Sequence, residues 1–94
     1  MSLSETLEAL ADPTRREILR ILREEGDRTA GELSERFTLA KSTLSGHFNV
    51  LKQAGLIVSE RQGQRIVYSI NQSAFEEALG AVVALLTPDR KEAI

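Results

Sequence analysis

The sequence predicts a mainly α-helical fold that carries one β-hairpin, with its elements in the order ααααββα. Up to about residue 54 the apolar residues recur with a helical period of about 3.6, and over residues 56–71 the period becomes two. The helical period then returns over about residues 73–87. Since the chain has 94 residues, we expect a single domain over residues 1–94.

Capping residues mark the starts of the first two helices. Ser2 and Glu5 have the spacing of a capping box, which predicts a first helix over about residues 3–10. Asp12 followed by Pro13 predicts the start of a second helix. The Asp side chain accepts hydrogen bonds from the free N–H groups of the first turn, and proline at the first helical position has no N–H that would stay unpaired. Gly26 is placed to end this helix, and its apolar stripe consists of Ile18, Leu19, Ile21 and Leu22.

Two helices joined by a short turn are predicted over about residues 29–54. Thr29 and Glu32 form a second capping box, which opens a third helix. The inward residues of that helix are Ala30, Leu33 and Phe37. After a turn over residues 38–40, a fourth helix extends from about Lys41 to Ala54, and its buried face consists of Leu44, Phe48 and Leu51. This is the pattern of a helix-turn-helix, whose second helix enters the major groove of DNA.

A β-hairpin and a last helix follow. The strands are predicted over residues 56–60 and 65–70, with a minor third strand near Arg28. The turn between them presents four cationic or amide side chains, Arg61, Gln62, Gln64 and Arg65. Such groups suit DNA phosphates or a narrow minor groove, so the hairpin is predicted to be a DNA-binding wing. Ser73 and Glu76 form a third capping box, and Pro88 ends the last helix.

The fourth helix has an unusual polar face. A helical wheel places small, uncharged residues opposite its core side, namely Ser42, Gly46, Asn49 and Gln53, with Thr43 and Ser45 on the flanks. An ordinary solvated face carries Glu, Lys and Arg, whereas no acidic residue occurs between Phe37 and Ser59. Short hydroxyl and amide groups hydrogen-bond base edges, and Lys41 favours phosphate. His47 lies at the edge of the buried face, where a partly buried structural role and a DNA contact are both open.

The net charge of −2 hides an uneven distribution. Residues 1–36 carry six arginines against nine carboxylates, whereas residues 37–72 carry four cations against one carboxylate. Residues 73–94 carry two cations and four carboxylates. Only the middle third therefore attracts phosphate, and we expect double-stranded DNA to be the partner of that third.

The last helix is apolar over more than one stripe, which a small domain cannot bury by itself. The surplus predicts a homodimer through the first and last helices, with interface residues Leu3, Leu7, Phe75, Leu79, Val82, Val83 and Leu86. Since the chain has no cysteine and one histidine, we expect no metal site and no cofactor. No apolar run is long enough to span a bilayer, and we expect a cytoplasmic protein without membrane insertion.

Three motifs resemble the ArsR-type winged helix-turn-helix repressors, and within them the SdpR-like autorepressors. They lie at residues 9–19, 44–57 and 63–70, so the resemblance covers roughly residues 7–71. The resemblance implies a dimer that is built from the first and last helices and represses transcription by binding an imperfectly palindromic operator near a promoter. For the autorepressor branch it implies repression of the protein's own operon. It also implies that the DNA-reading positions are Ser42, Thr43, Ser45, Gly46 and His47.

Two residues depart from the family pattern. Ala40 stands where many relatives have a capping Ser or Thr, and Gly46 stands where a larger polar or basic residue is usual. The cysteines, carboxylates and histidines through which many relatives sense metals are missing, so that function does not carry over, and no effector is indicated. A winged-helix module that binds protein remains the alternative function. An enzyme is disfavoured, because Ser45 and His47 do not share a helix face and no acid orients the histidine.

Overall fold

The computed structural model describes residues 2–88, which form five helices and three strands in the order ααβααββα. The helices are α1 (Leu3–Leu10), α2 (Pro13–Glu25), α3 (Ala30–Ser34), α4 (Lys41–Gln53) and α5 (Gln72–Leu86). The strands are β1 (Arg28–Thr29), β2 (Ile57–Gln62) and β3 (Arg65–Ile70). The predicted fold class is confirmed, including the minor strand at Arg28.

Side-chain caps start three of the helices where the sequence places them. Ser2 Oγ accepts from the Glu5 N–H at 3.3 Å, and Asp12 Oδ2 accepts from the Arg15 N–H at 3.0 Å. At α3 the capping box is complete, because the Thr29 hydroxyl accepts from the Glu32 N–H while the Glu32 carboxylate accepts from the Thr29 N–H.

The prediction of a capping box at Ser73 is wrong. The cap of α5 is Asn71, whose Oδ1 accepts from the Ala74 N–H at 3.3 Å and from the Ser73 hydroxyl at 3.0 Å. Asn71 takes this position because its backbone N–H and its Nδ2 also bond to Leu56 and Gly55. Ser73 therefore lies within the first turn of α5, which begins one residue earlier than predicted.

Helix α3 is also shorter than its apolar pattern predicts. It ends at Ser34, and the chain leaves it through a tighter turn in which the Arg36 N–H donates to the Leu33 carbonyl at 3.0 Å. Phe37 still packs against the core, but from the connection to α4 and not from the helix. The connection therefore covers residues 35–40 instead of three residues.

One apolar core joins the helices to the sheet. Its largest fully buried apolar side chains come from α2, α3 and α4, from the first residue of β2 and from the residue before it: Ile18, Ile21, Leu33, Leu44, Leu51, Leu56 and Ile57. The sheet is antiparallel with the order β1-β3-β2, and it packs Tyr68 against this core. The ring of Phe48 on α4 lies 4.5 Å from the ring of Tyr68, so the helix and the hairpin share one packing unit.

Candidate nucleic-acid interface

The exposed face of α4 is the one that the helical wheel predicts. Leu44, Phe48 and Leu51 are buried, and the polar residues on the other side are all exposed: Ser42, Thr43, Ser45, Gly46, Asn49 and Gln53. None of these exposed side chains forms a hydrogen bond to any other group within residues 2–88. Their donors and acceptors are therefore available to an external partner.

Gly46 lies in the middle of this face, and nothing within residues 2–88 requires a glycine at this position. A Cβ built there meets no atom within 4 Å, and its φ is not positive. Glycine inside a helix costs about 1 kcal/mol relative to alanine. The surface at Gly46 is consequently open, and its shape is set by Ser42 and Asn49, one turn away on either side.

The N-terminus of α4 has no side-chain cap, as expected from Ala40. Its free N–H groups and Lys41 face the same end of the helix, where the helix dipole is positive. Lys41 and Ser45 line a cleft of about 180 Å³ together with Ala30 and Gly31 of α3. The start of α4 is thus continuous with the start of α3.

The wing is tighter than the sequence predicts. Strand β2 extends to Gln62, which pairs with Arg65, so the turn contains only Gly63 and Gln64. Gly63 has φ +66°, which fits the first central position of a type II′ turn. The two arginines point to opposite faces of the hairpin, because Arg61 pairs with Ile66 and Arg65 pairs with Gln62.

Only one of these arginines lies beside α3. Arg65 and Gln64 line a second cleft with Thr29, Ala30 and Gly31. Because Ala30 and Gly31 line both clefts, the N-terminus of α4, the N-terminus of α3 and the start of β3 in the wing form one surface. We call this the α3–α4–wing surface. Arg61 lies on the other side of the wing, where its Nε donates to the Gly63 carbonyl at 3.3 Å.

The cations of the middle third lack carboxylate partners. Within residues 2–88 no salt bridge includes Lys41, Lys52, Arg61 or Arg65. The acidic first third neutralises its own arginines instead, since Glu25 accepts two hydrogen bonds from Arg36, at 2.7 and 3.0 Å, and lies 3.6 Å from Arg28. The Arg36 guanidinium lowers the pKa of the Glu25 carboxyl below its ordinary value. The positive field is therefore concentrated on α4 and the wing.

His47 faces the protein interior rather than the open face. Its side chain is 16% exposed, its Nδ1 lies 3.2 Å from Arg15 Nη1, and Asp12 Oδ2 lies 3.8 Å from the same nitrogen. The backbone N–H of Arg15 lowers the pKa of the Asp12 carboxyl, and His47 contributes in the same direction. Arg15 was not singled out from the sequence, since nothing in the periodicity pairs positions 32 residues apart.

The residues predicted to form a dimer interface divide into two groups. Leu7, Leu79, Val83 and Leu86 are exposed, at 51%, 64%, 49% and 80%. Leu3, Phe75 and Val82 are half-buried, and Phe75 packs on the chain's own core. The buried residues of α5 are Ala74 and Ala78, whereas Leu79, Val83 and Leu86 stay largely exposed within residues 2–88.

No group of three His, Cys, Asp or Glu side chains over residues 2–88 is arranged to hold a metal ion. In the same range, no helix is long and apolar enough to cross a membrane.

Comparison with known proteins gives a consistent result. The profile described as "Bacterial regulatory protein, arsR family" matches residues 12–59. The chain is 42% identical over 77 residues to the transcriptional repressor SdpR of Bacillus subtilis, covering 82% of this chain and 84% of SdpR. It is 36% identical to the HTH-type transcriptional regulator CmtR of Mycobacterium bovis, over 83% of this chain and 65% of CmtR.

Solved structures agree with these relatives. A crystal structure of an ArsR family transcriptional regulator superposes with a TM-score of 0.80 at 33% identity, covering 89% of this chain and 84% of the other. An ArsR-like transcriptional regulator from Rhodococcus sp. RHA1 gives a TM-score of 0.78 at 28% identity, over 88% and 77% of the two chains.

Proposed function

Because the chain belongs to the ArsR family of bacterial regulatory proteins, we propose that it represses transcription by binding an inverted-repeat operator as a homodimer. The resemblance of its motifs to this family is confirmed, and its named relatives are DNA-binding transcriptional regulators, not enzymes. Beyond membership of the family, we propose the symmetry of the operator, the residues that read it and the dimer. A regulator of this kind acts on the chromosome, so we place it in the cytoplasm.

The observation that carries the proposal is the α3–α4–wing surface. Its α4 part offers uncharged hydroxyl and amide groups that can reach base edges. Its borders carry Lys41 and Arg65, neither of which is engaged by a carboxylate within residues 2–88. This division assigns base reading to Ser42, Thr43, Ser45 and Asn49, and phosphate or minor-groove contacts to Lys41, Gln64 and Arg65.

The proposed dimer supplies the second half of the recognition. A single helix in the major groove contacts only a few base pairs, and each good contact gives about 1–3 kcal/mol of discrimination. Two α4 helices related by a two-fold axis, about one helical turn of DNA apart, double these contacts. The exposed Leu7, Leu79, Val83 and Leu86 offer the self-complementary surface that such symmetry requires.

A selection experiment tests the proposal. Full-length protein is incubated with a library of randomised duplexes and, in parallel, with the DNA upstream of its own gene, at low and at moderate salt. We expect enrichment of one inverted repeat, with affinity that falls steeply as salt rises. Enrichment of no sequence at low salt would overturn the proposal and favour the alternative, a winged-helix module that binds protein.

A further inference from the structure

One guanidinium connects α1, which is proposed to lie in the dimer interface, with α4, which is proposed to read DNA. We propose that the hydrogen bond between Arg15 and His47 positions α4 relative to α1, and that it thereby fixes the half-site spacing that the dimer accepts. This inference rests on the proposed function, and it assigns to His47 a positioning role.

The side chains of α4 itself otherwise hold the helix by apolar packing. Within residues 2–88, the side chains of Lys41–Gln53 make one hydrogen bond to another element, in which Arg15 Nη1 donates to His47 Nδ1 at 3.2 Å. Leu44, Phe48 and Leu51 bury the helix, but contacts of this kind are non-directional. A hydrogen bond depends on direction as well as distance, so the Arg15–His47 bond restricts rotation and sliding of α4 on its core.

The other donors of Arg15 are attached to the end of α1. Its Nε donates to the Ala9 carbonyl at 2.8 Å, and its Nη2 donates to the Glu8 carbonyl at 2.9 Å. The carbonyls of a last helical turn have no partners within the helix and form the negative end of its dipole, so a cation is well placed there. The planar guanidinium is rigid, and fixing it against α1 also fixes the direction in which Nη1 points.

The start of α2 completes the arrangement. The Arg15 N–H donates to Asp12 Oδ2 at 3.0 Å, which holds the residue in the first turn of α2. Asp12 and Arg15 are the charged groups beside the imidazole. When Nδ1 accepts from Arg15, the ring is neutral and carries its proton on Nε2. Three helices therefore meet at one side chain, and α4 takes its position from α1.

In a two-fold dimer this position has a direct consequence. Leu7 on α1 is exposed and belongs to the proposed interface, so dimerisation would fix α1 relative to the two-fold axis. Any displacement of α4 relative to α1 is repeated in the second subunit, and it changes the distance between the two α4 helices. Half-site spacing follows that distance. Loss of the bond should therefore reduce the preference for one half-site spacing more than it reduces the affinity for a single half-site.

Matched variants separate positioning from stability. His47→Asn places an amide oxygen where Nδ1 accepts, and His47→Leu removes the acceptor. Val50→Ala is the control, since Val50 is a half-buried residue of the same helix that packs on the core but makes no bond to Arg15. The probe is a set of duplexes that carry the half-site selected by the wild type at spacings changed by one or two base pairs.

We expect the wild type, His47→Asn and Val50→Ala to prefer one spacing by about tenfold or more. The His47→Leu variant should bind neighbouring spacings within about threefold, with its affinity for an isolated half-site kept. Unchanged spacing preference in His47→Leu would overturn the inference. So would an equal relaxation in Val50→Ala, because loss of stability would then explain the effect.

A measurement without DNA distinguishes this inference from the proposed function. Nitrogen-15 NMR of the imidazole should show an unprotonated Nδ1 in the wild type near neutral pH, and a changed Nδ1 signal in Arg15→Lys. A proton on Nδ1 would overturn the inference whether or not the protein binds DNA. If the wild type selects no operator while the NMR result stands, the proposed function fails and the spacing role fails with it.

Discussion

The side-chain amide of Asn71 donates a hydrogen bond of 2.9 Å to the carbonyl oxygen of Gly55, across 16 residues of sequence. The Asn71 backbone N–H also donates to the Leu56 carbonyl at 2.9 Å. Since Gly55 follows α4 and Asn71 precedes α5, these bonds tie the end of the helix proposed to read DNA to the start of a helix proposed to form the dimer. Asn71 therefore caps α5 and also holds the start of α5 against the segment that follows α4.

We expect Asn71→Ala to lower the free energy of unfolding by about 2 kcal/mol, because it removes the cap and the bond to Gly55, each with a contribution of about 1 kcal/mol. Asn71→Ser separates the two roles, since a hydroxyl caps the helix but cannot replace Nδ2. It should lose about half as much. Urea unfolding of the three proteins measures both values, and equal stability of Ser and Ala variants would show that capping contributes nothing.

Glycine substitutions in two places should have opposite effects. Gly46→Ala is expected to raise the free energy of unfolding by about 1 kcal/mol, because the added methyl group meets open space in a helix. Gly63→Ala is expected to lower it, because alanine at φ +66° is strained. Thermal melts at one protein concentration decide the signs. Destabilisation by Gly46→Ala would reveal a constraint that the open space around this residue does not explain.

The two arginines of the wing should differ in their contribution to DNA binding. Arg65→Ala removes a cation from the α3–α4–wing surface, and it should weaken binding to all sequences while lowering the salt slope by about 1. Arg61→Ala is the matched control, since the same charge leaves the opposite face of the hairpin. In contrast, Ser42→Ala and Ser45→Ala should change the preference among sequences. Equal losses from the two arginine variants would show that both faces of the wing contact DNA.

Acid should destabilise the protein through its paired carboxylates. Arg36 lowers the pKa of Glu25, and Arg20 lowers the pKa of Glu17, in each case mainly through a hydrogen bond to the carboxylate. A carboxyl whose pKa is lower in the folded chain stabilises it above the unfolded pKa of 4.5, and this stabilisation is lost as the pH falls through the folded pKa. We therefore expect constant stability from neutral pH to about pH 5.5 and a decline below it.

Arg36→Gln should make this decline shallower, because the pKa of Glu25 then returns towards its ordinary value. Arg23→Gln is the control, since Arg23 is in no salt bridge within residues 2–88. Urea midpoints measured between about pH 4 and pH 7 test both variants. Identical pH profiles for Arg36→Gln and the wild type would contradict the assignment.

Local patterns predicted the elements well, because the residues that set them are neighbours in sequence. The buried face of α4 follows from the spacing of Leu44, Phe48 and Leu51. The same locality explains the errors. Ser73 and Glu76 match a capping box, but the cap is Asn71, whose position is set by its bond to Gly55, in the connection between α4 and β2. The Arg15–His47 bond likewise joins positions that no helical or strand period relates.

Dimerisation gives the last prediction, and it depends on which apolar residues the chain leaves uncovered. Leu79 and Leu86 are 64% and 80% exposed, so a charge there costs the subunit's own core little. We expect Leu79→Glu to yield a folded monomer with the 10.4 kDa mass of one chain, whereas the wild type sediments at twice that mass. Thermal stability of the wild type should also rise with protein concentration, since dimerisation then adds to folding.

Val58→Glu is the matched control, because Val58 is 50% exposed and belongs to the hairpin, where it pairs with Ser69, and not to α1 or α5. It should remain a dimer. Monomeric Leu79→Glu should bind an isolated half-site as the wild type does. It should lose the gain in affinity that the second half-site provides, because two separate monomers do not hold their α4 helices about one helical turn apart. A wild type that is monomeric at micromolar concentration and still prefers the full inverted repeat would show that DNA, and not the apolar face of α5, assembles the pair.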